Sequence, residues 1–446
     1  MCVIEPFQTI NPMGFRLPYR FWLRMSGALF LLLILAGCAN RSREPETQLP
    51  FKDHKVQIHD LYCPATSSLV AIGNILKPGF GGVEGVALYS DDRGAVWRKA
   101  PLDPVPNGVA LSLVRLPSRD GIPALYASGY DSKELLWWIS LNGGRSWSGT
   151  EAKLPLSKLK FYESSSKLVP NIVLADTTGI LVAVVRESDG VFVLRSTDWG
   201  KHWERQPLQM PRSYVSPIVS DERGNLAFFG NSVPPHPFGS YIGTVYWSSD
   251  AGATWHEGID HEKYNPFLFN MHLFRSPSGK MVAFNTDQRK YGNTYIITST
   301  DNGQTWKRSS VDDGCGMIIG IMGDMEGRMV AFTEYRKVLL SDDDGATWRK
   351  GYLPELNLGR SLERRLQTAP IIFSDGGLVI AAIGNKIIRS TNRGDTWSIV
   401  DSKLMDSDYE INNLCEDGIG LFVATGGGMI TRSLDWGLTW QPGKME

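Results

Sequence analysis

The chain has 446 residues, with 46 Lys and Arg against 47 Asp and Glu, a formal net charge of -1, and 42% hydrophobic residues. That balance, with no basic block, argues against a nucleic-acid binder held by phosphate contacts. The 11% aromatic content argues against disorder.

The first feature in chain order is an address. Arg16, Arg20 and Arg24 precede an apolar run from Ala28 to Ala36, which closes in Leu35-Ala36-Gly37-Cys38. A basic segment, a short apolar segment and small residues make a secretory signal, because nine apolar residues cannot span a hydrocarbon core that takes about 20. The closing tetrapeptide resembles the bacterial lipobox, whose cysteine is lipidated and becomes the first residue of the mature protein. The resemblance implies a lipoprotein signal peptide over residues 1–37, a lipidated Cys38 with a polar tether to residue 53, and a folded domain over residues 54–446. An ordinary cleaved signal or an N-terminal anchor helix is the alternative, and Met13 is an alternative start. Ala39 stands where an Asp typically retains such proteins in the inner membrane, so the resemblance points to the outer membrane of a bacterial envelope.

Beyond residue 37 the cysteines are Cys38, Cys63, Cys315 and Cys415. No C-x-x-C pair or Cys/His spacing suits zinc, so neither metal nor cofactor is expected.

From residue 90 onward one eight-residue pattern recurs, Ser-x-Asp-x-Gly-x-x-Trp. The copies are SDDRGAVW (90–97), SLNGGRSW (140–147), STDWGKHW (196–203), SSDAGATW (248–255), STDNGQTW (299–306), SDDDGATW (341–348), STNRGDTW (390–397) and SLDWGLTW (433–440), with a mean period of 49. The acceptor positions are Asp92, Asn142, Asp198, Asp250, Asp301, Asp343, Asn392 and Asp435. An Asp or Asn oxygen accepts backbone N–H groups within a tight turn, Ser does so more weakly, and Gly permits the positive φ such a turn needs. The Trp is expected back on a strand, where its ring packs between sheets. A strand-like run precedes each box (GVALYS, LLWWIS, VFVLRS, GTVYWS, TYIITS, KVLLS, KIIRS, MITRS), and a further apolar run lies before that. Each unit therefore reads as strands A, B and C, then the box as the C–D turn, then D. Four strands per unit make a β-propeller blade.

The boxes resemble the Asp-box, or BNR, repeat of sialidase-like propellers, found also in photosystem assembly factors and sortilin-type receptors. The expected fold is all-β, a propeller of about eight four-stranded blades, with seven blades and one irregular hairpin as the alternative. In the closed ring this implies, the first and last blades are neighbours. Cys63 and Cys415 then stand at matching places in their inner strands, either as a disulfide across the join or as two buried thiols.

In that architecture the boxes are scaffold on one face, and ligand chemistry belongs to the B–C and D–A loops of the other. Candidate binding residues on the B–C loops are Tyr130 and Asp131, Arg186 and Glu187, His236 and Tyr241, Asp287, Arg289 and Tyr291, and Glu334, Tyr335 and Arg336. A sialidase needs an arginine cluster for a carboxylate, a Tyr nucleophile activated by Glu, and an Asp acid/base. Those residue types are present, but the family's Arg-Ile/Leu-Pro triplet is not in place. Arg16-Leu17-Pro18 lies in the signal region and Arg115-Leu116-Pro117 in the second unit. The sequence reads as a non-catalytic envelope protein, held at the membrane through its lipid anchor only, that binds a protein or glycan partner in an assembly or toxin-neutralising role. A glycoside hydrolase, sialidase-like or with two carboxylates, is the alternative.

Overall fold

The computed structural model describes residues 55–64, 68–76, 83–103, 109–119, 122–130, 135–149, 171–186, 190–210, 215–232, 242–258, 272–287, 293–311, 315–356, 369–400, 410–426 and 429–446. All of them belong to one unit, Leu49–Glu446. They form eight antiparallel sheets with strands in sequence order, so each blade is A-B-C-D from one continuous stretch. Blades 1 to 8 occupy residues 55–100, 109–149, 171–210, 219–257, 272–310, 318–350, 371–400 and 411–442.

Why the B strands are continuous apolar runs is visible in the packing. In blade 7, Val379, Ala381 and Ile383 of Val379–Ile383 face the core shared with blade 6, and Ile380 and Ala382 face the core shared with blade 8. Both faces are dry, so alternation of polar and apolar residues disappears. Eight buried clusters, one for each pair of neighbours, run round the ring among the described residues. The cluster between blades 8 and 1 joins Val56, Ile58 and Leu88 to Leu421, Val423 and Ile430. The ring is closed with eight blades, and the seven-bladed alternative falls away.

Closure exchanges no strand, because both terminal blades are complete. After the outer strand of blade 8, Lys444–Met445 runs on to pair in parallel with Val96 and Trp97 of blade 1. Leu102–Asp103 repeats this connection between blades 1 and 2 by pairing with Trp147 and Ser148. Cys63 and Cys415 form a disulfide with Cα atoms 5.9 Å apart, within the usual bridging range. The Asn413 amide adds a hydrogen bond to the Ile58 carbonyl at 3.2 Å.

Each box is a hydrogen-bonded knot. In blade 5 the Ser299 hydroxyl accepts the Gly303 N–H at 2.8 Å and donates to Asp301 at 2.8 Å. The same carboxylate accepts the Thr305 N–H at 2.8 Å and the Thr305 hydroxyl at 2.5 Å. The Trp306 indole N–H closes back on the Gly303 carbonyl at 2.9 Å. Asn392 does the same work in blade 7, accepting from Ser390 and from the Thr396 N–H. The glycine position also faces the neighbouring blade: a Cβ on Gly394, whose φ is 90°, would come within 2.6 Å of Val330 in blade 6. In six of the eight blades the D strand begins one residue after the box Trp, so the expectation of a Trp on the strand holds only for Trp97 and Trp147. The ring is nevertheless buried for Trp203, Trp306, Trp397 and Trp440 and half-buried for Trp255 and Trp348, with the indole N–H of each bonded to the box Gly carbonyl.

Arginines tie consecutive blades on this face. Arg195 donates to the Ala251 carbonyl at 2.8 Å, Arg328 to that of Arg393 at 2.9 Å, and Arg389 to that of Trp436 at 2.9 Å. The accepting residue is the fourth of the box, which has positive φ in all eight copies although only Gly143 is glycine there.

Candidate binding face

Antiparallel order puts A–B turns with the boxes at one end of the blades and B–C turns at the other. Backbone bonds confirm the first grouping: Asp344, Ala251 and Arg393 of the boxes donate to the A–B turn carbonyls of Gly327, Gly224 and Gly377 at 2.8–2.9 Å. Among the candidates on the opposite face, Tyr130, Arg186 and Asp287 are the last residues of the B strands of blades 2, 3 and 5, at one rim. Asp131, Glu187, His236, Tyr241, Arg289 and Tyr291 lie outside the described residues, as does Cys38.

The B–C turn of blade 6 is described in full. It links Met329–Thr333 to Val338–Ser341, and Arg336 adopts φ 58° at its tip. The Arg336 N–H donates to the Thr333 carbonyl at 2.9 Å, and the Thr333 N–H to the Lys337 carbonyl at 3.0 Å. Beneath this turn Glu334 is buried and fastened to the segment leading into strand A. Its N–H donates to the Met317 carbonyl at 2.9 Å, and its Oε1 accepts the Met317 N–H at 3.2 Å. The Tyr335 ring rests over Gly316, where an added Cβ would come within 2.7 Å of it, and still exposes 55% of the residue. Arg336 stands exposed beside it. Glu334 is thus a positioning residue under an aromatic and a guanidinium, a pair suited to stacking, cation–π contact and carboxylate recognition.

Sequence reasoning missed the inner wall of blades 1 and 2. The His59 ring nitrogen shares a 2.7 Å hydrogen bond with the buried Asn74 amide, and burial lowers the imidazole's affinity for a proton. Asp60 accepts the Leu61 N–H and, across the blade boundary, the Leu113 N–H, both at 2.9 Å. Burial outweighs those two bonds and pushes its carboxyl up to about 6. Only the break in alternation around His59-Asp60, a β-bulge in the structure, marks the place in the sequence.

On the box face burial alone would raise the carboxylates of Asp92, Asp198, Asp250, Asp301, Asp343 and Asp435. The hydrogen bonds of each turn outweigh it and hold all six below the ordinary range. A groove of about 680 Å³ also lies here, lined by Asp324, Glu326, Phe373, Asn392 and Arg393 among others. Arg393 in it is paired with Asp324 at 2.5 Å and Glu326 at 2.9 Å, so it serves the joint between blades 6 and 7. Among the described residues no three His, Cys, Asp or Glu side chains converge as metal ligands. No helix among them is long and apolar enough to cross a membrane.

A BNR/Asp-box repeat model matches residues 297–308, the blade 5 box with the end of its preceding strand. The chain folds as an eight-bladed propeller, and one of its eight boxes matches the Asp-box repeat model. Solved structures similar to this propeller include YCF48 bound to D1 peptide, at 17% identity over 73% of this chain and 91% of that one, with a TM-score of 0.47. YCF48 from Cyanidioschyzon merolae matches at 13% identity over 74% and 95%, with a TM-score of 0.45. The GH74 enzyme of Niastella koreensis matches at 15% identity over 86% and 62%, with a TM-score of 0.34. No curated protein matches the sequence.

Proposed function

We propose that this propeller is a lipid-anchored envelope protein that binds a protein or glycan partner on its B–C face as an assembly factor, without catalysing a reaction on it. The observation that carries this reading is the blade 6 turn. Tyr335 and Arg336 are presented to solvent by a backbone already fixed through Thr333, Lys337 and Met317, so little conformational entropy is lost on binding. The same contacts weigh against a Tyr nucleophile activated by its neighbour, because a Glu334 oxygen is already engaged by the Met317 N–H. Lipid attachment at Cys38 is supported by the Leu35-Ala36-Gly37-Cys38 tetrapeptide behind its apolar run.

A fluorogenic glycoside panel that includes a sialoside, incubated with the chain from Ala39 onward, tests the non-catalytic half of the proposal. The expected result is no release of fluorophore. Release that disappears on Arg336→Ala would make the protein a glycosidase.

A further inference from the structure

The box of blade 8 departs from the other seven. Three of its four variable positions hold Leu434, Trp436 and Leu438, and no other box carries large apolar residues at these three. These side chains are 47%, 41% and 58% exposed, and Ile419, from the A–B turn of the same blade, is 58% exposed. The cluster is held in shape. Trp436 sits at φ 59°, its N–H donates to the Gly420 carbonyl at 3.3 Å, and its indole lies so close over Gly420 that a Cβ there would be 2.9 Å away.

Basic groups predominate around this tip. Arg389 donates to the Trp436 carbonyl, and Arg432 to the Asp92 and Arg93 carbonyls at 3.1 and 3.0 Å. Among the described residues neither is paired with a carboxylate. Of the acids nearby, the buried Asp417 is paired with Arg93 at 2.9 Å, and Asp435 is bonded only to neutral donors of Ser433, Leu438 and Thr439, which leaves two arginines against one carboxylate.

Four side chains about half exposed amount to roughly 400 Å² of apolar surface, half of the ~800 Å² per partner that a stable protein interface buries. They belong to two adjoining turns of one blade, three to the box and one to the A–B turn. Aliphatic tips, a Trp beside them and arginines behind match the layering of a bilayer interface, from acyl boundary to anionic headgroup.

We propose that the blade 8 box tip is a membrane-contacting element that inserts Leu434, Leu438 and the edge of Trp436 among anionic lipid headgroups, with Arg389 and Arg432 at the phosphate level. This contact is independent of Cys38 and of the B–C face. The chain enters strand A of blade 1 at Lys55, at the end away from the boxes. The 16 residues between Cys38 and Lys55 reach up to ~55 Å when extended. That exceeds the ~26 Å length of an eight-residue strand, so an acyl anchor and this tip can meet one bilayer.

The test is co-sedimentation of the chain from Ala39 onward, which carries no acyl group, with vesicles of phosphatidylethanolamine and phosphatidylglycerol. The expected result is partition onto the vesicles that falls about tenfold or more in Leu434→Ser/Leu438→Ser, with an unchanged melting temperature. A blue shift in the emission difference between the wild type and Trp436→Phe should accompany binding, and Tyr335→Ala/Arg336→Ala should bind vesicles normally. Wild-type protein that stays in the supernatant, or equal partition of wild type and double serine variant, would overturn the proposal. So would a dimer in sedimentation velocity that the serine variant abolishes while vesicle binding is absent, since the tip would then be a self-interface.

Discussion

Arg432 in strand C of blade 8 donates its Nη1 to the carbonyl of Arg93 in the blade 1 box at 3.0 Å, across the join where the chain's two ends meet. This is the contact that Arg195 and Arg389 make to the boxes of blades 4 and 8, and all three arginines immediately precede a box Ser. The join is therefore built like any other blade boundary, with the disulfide and the Lys444–Met445 strand added. Arg432→Ala removes a charged donor from two partly exposed carbonyls, which costs about 1–2 kcal/mol. Arg432→Lys should recover only part of this, because an ammonium lacks the planar fork. Urea denaturation of the two variants checks both expectations.

The Cys63–Cys415 disulfide encloses a sequence separation of 352 residues. Cross-linking so long a loop removes much unfolded-state entropy, so Cys63→Ser/Cys415→Ser is expected to lose about 2–4 kcal/mol. Most other joints remain, so the variant should fold, with faster proteolysis confined to blades 1 and 8. Unchanged stability in non-reducing and reducing buffer would show that the noncovalent join is sufficient.

Within the boxes, Asp301→Ala strips the acceptor from Ser299, from the Thr305 N–H and from the Thr305 hydroxyl. A loss of about 1–3 kcal/mol is expected. Asp301→Asn should cost far less, because Asn142 and Asn392 fill this role in blades 2 and 7. Thermal melts of the pair decide whether the carboxylate's charge matters beyond its acceptor geometry.

Asp60 and the box carboxylates give stability opposite dependences on pH. Asp60 holds its proton up to about 6 in the folded chain against an ordinary 3.8, so its contribution is complete below that ordinary value and is lost as pH rises through 6. The box carboxylates are shifted the other way. Their contribution is present above the ordinary value and is lost as pH falls through the depressed range. Buried His59 works against Asp60 in this window, because its lowered affinity for a proton costs stability as pH falls through the ordinary imidazole value. The Asp60 contribution is therefore read as the difference in melting temperature between wild type and Asp60→Asn, which should grow as pH falls from 7 toward about 4. Asp60→Asn should leave the loss in stronger acid, which the box carboxylates set, unchanged.

The fold was legible because each box carries its own instructions. Ser299, Asp301, Gly303 and Thr305 complete their hydrogen bonds within seven residues, so the knot is written locally and repeats. The arginine before the box Ser was equally visible in VLRS, IIRS and ITRS, but its partner lies in the next blade, and a strand pattern alone does not show a partner. The binding face resisted reading for the same reason. Glu334 reads in the sequence as one more polar loop residue beside Tyr335, whereas its placement depends on Met317, 17 residues upstream, through a bond that no repeat announces. Asp60 is fixed by Leu113, in another blade.

The most direct test of the central claim is site-specific photo-crosslinking in the producing cell, with the photoreactive residue at Tyr335 and, for comparison, at Met325, which is 72% exposed in the A–B turn of the same blade on the box face. A binding propeller that uses its B–C face predicts a discrete adduct from position 335 that is lost when Arg336→Ala is added, and none from position 325. An adduct pattern identical at the two positions, or none at position 335, would contradict the assignment of this face.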